Sequence, residues 1–342
     1  MKLMIPSCRQ PDSQLESKLK EIGHFVYHPN PGNMGDALIA VASVQLFDRL
    51  GLSYEMYDEK KTYDTPYNLV YGGGGAMVPD WGQLEYLSTL FSNKHLEACI
   101  ILPHSMRKCD KLISELDSRF TVFCRDEQSF NYCKSINNTA EIFLSNDMAC
   151  YMDIRNYLTW EDARKQLPRP ACIASALAGI FLPRHSKFRS LCRAYRKSID
   201  RLDKHTKQRE QILPDGRKLL LVMRNDSEAA GSILPSNMAH LPSVDVSRYG
   251  GGNCRWSEFN DLLVTQFFKT LNRYDIVITN RLHVSIASIL LGKHVIMIDN
   301  NYGKLSGVWQ QSLSHFTHCH MCRSTEEILT ALNHLQVEVP HT

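Results

Sequence analysis

The chain has 342 residues, 43% apolar and 22% charged, with a net charge of +3 at pH 7. That length is too great for one ordinary core and suits two domains. The composition excludes a disordered or fibrous chain, and so small a net charge gives no global case for nucleic-acid binding.

The start, Met1 to Ser7, has too short an apolar run for a signal peptide. No stretch approaches the ~20 apolar residues of a membrane-spanning helix; the longest, Ala171 to Leu182, is about half a span. A cytoplasmic protein is expected, with its eleven cysteines reduced. Cys319 and Cys322 have CxxC spacing, flanked by His318 and His320. A structural zinc site wants four ligands, usually from two such pairs, and no second pair exists. No metal is expected on that ground.

Short apolar runs alternate with helical patterns through the first half. Phe25–Tyr27 reads as a strand, followed by a loop and a helix over 36–50. Tyr54–Tyr57, Leu69–Tyr71, Cys99–Leu102, Thr121–Phe123 and Ile142–Leu144 read as further strands. Strands separated by helices imply a parallel sheet covered on both faces. The last third repeats the design. Leu219–Met223, Asp275–Thr279 and Val295–Ile298 read as strands; 256–271, 284–291 and 325–335 read as helices, with Ser324 as the last one's N-cap. The expected division is an α/β domain over 1–165, a connector over 166–215 and a second α/β domain over 216–342. Between Arg184 and Arg209 stand ten Lys or Arg against two Asp. That segment reads as a solvated helix or linker, or as a basic amphipathic helix meeting anionic lipid.

In open α/β sheets, ligands sit beyond the carboxyl ends of the strands. Six polar segments fall there. Asn30 to Asp36 opens a helix whose free N–H groups favour an anion or sugar hydroxyls; Asp36 either caps that helix or bonds a hydroxyl. It is not a P-loop, for the Gly-Lys-Ser/Thr ending is missing. Gly72 to Gly75 is best explained by close approach of backbone to a ligand. Arg125 suits carboxylate or phosphate binding, or an ion pair with a neighbouring acid. Asp147 is a candidate base, hydroxyl acceptor or N-cap. Asn280, Arg281, Leu282 and His283 follow the most hydrophobic strand of the second half. Arg281 brings permanent charge, and His283 exchanges protons near neutrality. Lys304 offers a second cation for phosphate, or is a surface lysine.

Taken in order, Gly32-Asn33-Met34-Gly35-Asp36, Gly72–Gly75, Arg125-Asp126, Asp147, Arg281-Leu282-His283 and Tyr302-Gly303-Lys304 resemble the polysaccharide pyruvyl transferase family. The resemblance spans 30–307. It implies two Rossmann-like domains facing a central cleft, similar to the GT-B glycosyltransferases. It also implies transfer of pyruvate from phosphoenolpyruvate to two hydroxyls of a surface-polysaccharide hexose, free or lipid-linked, as a cyclic ketal. His283, Arg281 and Asp147 become the expected catalytic residues. Arg125, Asn280, Arg281, Leu282 and Lys304 become the expected donor-binding set, and Asn33, Asp36, Gly73 and Gly74 the acceptor-binding set. Phosphoenolpyruvate is the donor substrate, and no other cofactor is expected. The partners expected are this donor, the saccharide and, through the basic segment, the inner membrane face; nucleic acid is not among them. The competing expectations are a nucleotide-sugar glycosyltransferase and an inactive sugar- or anion-binding homologue.

Overall fold

The computed structural model describes residues 12–158, 204, 206–224, 233–238, 241–247, 257–299 and 303–337. Most of the basic segment, 184–203, lies outside the described residues, as does Tyr302.

The described residues build two sheets. The first has seven strands: β1 (Phe25–His28), β2 (Tyr54–Met56), β3 (Tyr67–Tyr71), β4 (Gly74–Met77), β5 (Leu96–Met106), β6 (Phe120–Cys124) and β7 (Glu141–Leu144). They run β2-β1-β3-β5-β6-β7, with β4 paired to the end of β5, and every pairing is parallel. The second contains β8 (Gln211–Ile212), β9 (Lys218–Val222), β10 (Ile276–Thr279), β11 (His294–Ile298) and β12 (Cys319–Cys322), in the order β12-β11-β10-β9-β8. Only the β8–β9 pair is antiparallel. Continuous apolar runs such as Ile276–Thr279, buried along their whole length, are what a sheet covered on both faces demands.

The helices are α1 (Ser13–Glu21), α2 (Met34–Leu50), α3 (Leu84–Phe91), α4 (Asp110–Ser114), α5 (Glu127–Ile136), α6 (Arg155–Leu158), α7 (Ser257–Leu271), α8 (Leu282–Leu290), α9 (Lys304–Val308) and α10 (Thr325–His334). α2 is apolar nearly all round, with eleven buried residues, because it is sandwiched between elements. It packs against α7 and α8 of the second sheet. One core cluster therefore runs from Phe25 and Leu38 through Phe267 and Ile286 to Val295. Ser324 caps α10 as expected, its Oγ accepting from the Glu327 N–H at 3.2 Å.

Two segments read differently in the structure. The glycine run joins two strands: β3 and β4 lie end to end along β5, meeting at Gly72-Gly73. Here backbone meets backbone. A Cβ on Gly72 would stand 2.6 Å from the Asn30 nitrogen, and one on Gly73 would stand 2.7 Å from the Pro103 oxygen. Gly74 has φ +138° and Asn30 Nδ2 only 2.9 Å from a would-be Cβ. Chain crossing thus accounts for these glycines. The His318–Cys322 string is largely strand β12. Side chains alternate along a strand, so positions three apart face opposite ways. Cys319 enters the core between the sheets, while Cys322 enters the core beneath α10. The pair cannot grip one ion.

Candidate active site

A cavity of about 290 Å³ opens between the carboxyl ends of the two sheets. From the first sheet it receives the loop after β1 (Asn30 to Asn33, then Asp36), Gly75 and Ala76 of β4, Trp81, Gln83 and Arg125. From the second it receives Arg224, Ser247, Arg281 to Val284, and Leu305. Among the described residues three arginines and one carboxylate, that of Asp36, line the cavity, while Asp147 and Asp245 pair with Arg125 and Arg281 from behind the wall.

Each side chain is held by its own local structure. Asn33 starts α2: its Oδ1 accepts from Gly35 N at 2.8 Å, and Asp36 Oδ2 accepts from Asn33 N at 2.8 Å. This capping box orients both residues while leaving them on the cavity wall. Gly32 is required because a Cβ there would fall 1.9 Å from Asp36 Oδ2. Arg281 occupies the N-cap position of α8 in extended conformation, and no side chain caps that helix. The first turn of α8, from Leu282 to Val284, therefore lies at the wall beside a guanidinium. A helix start of this kind is an anion site.

Arg281 is aimed by Asp245, whose Oδ1 accepts from Nε at 3.1 Å and whose Oδ2 accepts from Nη2. Ser247 Oγ donates to the same carboxylate at 2.6 Å. Arg224 follows β9, and its N–H donates to Asn280 Oδ1 at 2.7 Å. Asn280 is thus a buried brace for Arg224 and does not line the cavity.

Arg125 is 1% exposed and Asp147 fully buried. Arg125 Nη1 donates to Asp147 Oδ2 at 2.6 Å, and its Nε donates to Ser105 Oγ at 2.9 Å. Ser105 in turn donates to Asp126, the N-cap of α5, at 2.6 Å. His283 Nε2 stands 3.5 Å from Asp147 Oδ2, and its ring lies over Gly35 at the start of α2. Burial by itself would raise the Asp147 carboxyl; the Arg125 charge and the His283 contact outweigh it and hold the group well below the usual carboxylate range.

The sequence expectations sort accordingly. Arg125, Arg281, Leu282, His283, Asn33 and Asp36 meet at one cavity. Asp147 and Asn280 stand behind it. Asp147 is an N-cap, its Oδ1 accepting from Ala149 N at 2.8 Å, and through Oδ2 a brace for Arg125 and His283; its lack of a cavity face argues against a role as base toward a hydroxyl. Gly73 faces the Pro103 backbone and Gly74 the side chains of Asn30 and Asp36; Gly75 and Ala76 line the wall instead. Lys304 starts α9 beside the cavity residue Leu305, and its side chain lies outside the described residues. Sequence reasoning passed over Arg224, Asp245 and Trp81. Arg224 carries the strand-end signal that singled out Arg125. Asp245 sits in an irregular segment and carries none.

A solved structure of a functionally uncharacterised protein from Klebsiella pneumoniae subsp. pneumoniae NTUH-K2044 superposes with a TM-score of 0.63 at 24% identity, covering 91% of this chain and 98% of that one. It shows a shared fold. EpsO of Bacillus subtilis (strain 168), itself assigned only provisionally as a pyruvyl transferase, is 43% identical over 72 residues. That match spans 20% of this chain and 22% of EpsO. The profile of polysaccharide pyruvyl transferases matches residues 33–302, a span that takes in every cavity-lining side chain from Asn33 to His283, and the chain belongs to that family.

Proposed function

We propose that the chain moves the pyruvyl group of phosphoenolpyruvate onto two hydroxyls of a saccharide, closing a cyclic ketal. The observation that carries this reading is the convergence of Arg125, Arg224, Arg281, His283 and the uncapped start of α8 on one small cavity. The donor bears a carboxylate and a phosphate on adjacent atoms and needs several fixed positive groups. The arginines and the α8 amides supply them.

The reaction begins when a proton is added to the methylene carbon, which makes C2 electrophilic. The first hydroxyl adds there and gives up its proton. The C2–O bond to phosphate breaks, and phosphate leaves with the electron pair. The second hydroxyl then adds and loses its proton, leaving one ketal and one inorganic phosphate. His283 is the proton donor to the methylene carbon, with Asp147 orienting its ring from behind. Asp36, the one carboxylate lining the cavity among the described residues, takes a hydroxyl proton. The guanidiniums balance the charge that gathers on the departing phosphate. The acceptor is a hexose of a surface-polysaccharide precursor, with lipid-linked forms included.

Purified protein incubated with phosphoenolpyruvate and a panel of free and lipid-linked saccharides should release phosphate and yield a product heavier by one pyruvate ketal. Stabilisation by UDP- or GDP-sugars without any response to phosphoenolpyruvate would replace this reading with nucleotide-sugar glycosyl transfer.

A further inference from the structure

At about 290 Å³ the cavity lies at the small end of ligand pockets, which run ~300–1,000 Å³, so it takes phosphoenolpyruvate but is crowded by a whole hexose as well. A hexose ring must then rest at the mouth. The mouth carries an unusual side chain. Trp81 lines the cavity, is 49% exposed and belongs to none of the apolar cores. Among the described residues four large apolar side chains are exposed, and two of them, Trp81 and Tyr86, lie on the single stretch 79–86.

That stretch is built to present them. Pro79 starts a short 3₁₀ turn that ends at Trp81, and Gly82 closes it with φ +62°. A Cβ on Gly82 would meet nothing within 4 Å, so conformation and not space selects glycine there. Tyr86 is tethered, its hydroxyl 2.7 Å from His28 Nε2, just before the cavity loop. Indole left in water at a pocket mouth loses apolar burial that a core position would give it. Stacking on the C–H face of a pyranose recovers it, while Gln83 and Asn33 beside it suit ring hydroxyls.

We infer that Trp81 is the acceptor platform: its indole stacks on the sugar ring and points the diol at the Arg281–His283 wall. This rests on the pyruvyl-transfer reading for the reaction but not for the binding.

Two measurements separate them. Saturation-transfer NMR with methyl β-D-galactopyranoside and other methyl hexopyranosides should show contact with the unaltered chain, lost in W81A, while thermal stabilisation by phosphoenolpyruvate persists in both. In turnover, W81A should raise the acceptor KM by about tenfold or more, leave the phosphoenolpyruvate KM within about twofold, and be largely rescued by W81F. Sugar contact that depends on Trp81 without any ketal product keeps the platform and discards the reaction. Ketal formation with an unchanged acceptor KM in W81A, or no saturation transfer from the unaltered chain to any glycoside, overturns the platform.

Discussion

His283 and Arg125, which come from different sheets, share one carboxylate oxygen: Asp147 Oδ2 lies 2.6 Å from Arg125 Nη1 and 3.5 Å from His283 Nε2. The proposed acid and one proposed donor-binding cation are therefore set by a single buried brace. H283A should cut turnover by about 10²–10⁴-fold, the usual worth of a positioned acid, with little change in melting temperature. D147A should do both harms, because it leaves Arg125 buried and unpaired at about 3–5 kcal/mol. Thermal melts alongside turnover distinguish the two; a stable, active D147A would remove the brace from the scheme.

Gly35 tests the placement of that imidazole. Alanine is ordinarily favoured over glycine in a helix. Here a Cβ would stand 2.1 Å from His283 Nδ1, and the ring would have to move. G35A should fold, with a stability change within about 3 kcal/mol, yet lose at least ~10²-fold in turnover, since a misplacement of ~1 Å costs that much. Unchanged turnover would put the ring's position outside the mechanism.

Arg281 and Asp245 make a fork that only guanidinium fills. R281K should keep the charge and still raise the phosphoenolpyruvate KM by about tenfold or more, while R281A should abolish binding. Isothermal titration with phosphoenolpyruvate reads both.

Two acid transitions should appear in stability. The folded Asp147 carboxyl is depressed, so the folded state binds fewer protons than the unfolded chain, whose carboxyl titrates near ~3.9. Its contribution is complete above about pH 5 and drains as pH falls through the acid range. D147N should flatten that limb in denaturant melts run from pH 5 downward.

A second limb starts higher. His294 is depressed by burial and then by His318, Arg217 and His320, with Asp275 opposing; His320 is depressed by burial and then by His334 and His318. Both favour the neutral ring when folded. The unfolded chain takes up protons near ~6.5, so stability should fall as pH drops below that value. Replacing both rings by Asn should remove the slope between pH 7 and 5, leaving only the carboxylate limb.

Much of this site could be read from the chain, for a plain reason. Parallel strands buried on both faces stand out as apolar runs, and the polar residue directly after each run must sit at the sheet's carboxyl edge. That rule places Arg125, Arg281 and His283 correctly. Applied evenly, it would also have found Arg224 after β9. It fails where partners come from irregular chain, as with Asp245, and it leaves alternatives open where only burial decides, as with Asp147, whose N-cap reading is the one the structure shows. The glycines at 72 and 73 mislead because a backbone crossing and a ligand demand the same missing Cβ. β12 was masked by its own composition, since a four-residue strand of Cys, His and Met resembles a ligand string more than a sheet edge.

α2 begins at the cavity and continues as the filling between both sheets. Asp147 N–H reaches across to Ser312 Oγ at 3.3 Å, and Tyr157 bonds Asp261, so polar clasps flank that filling. Prying the halves apart would flood a continuous oily interior. The molecule is a vice with welded jaws: substrates should reach the cavity through its open mouth without one sheet swinging from the other, and crystals soaked with donor should show both sheets unmoved.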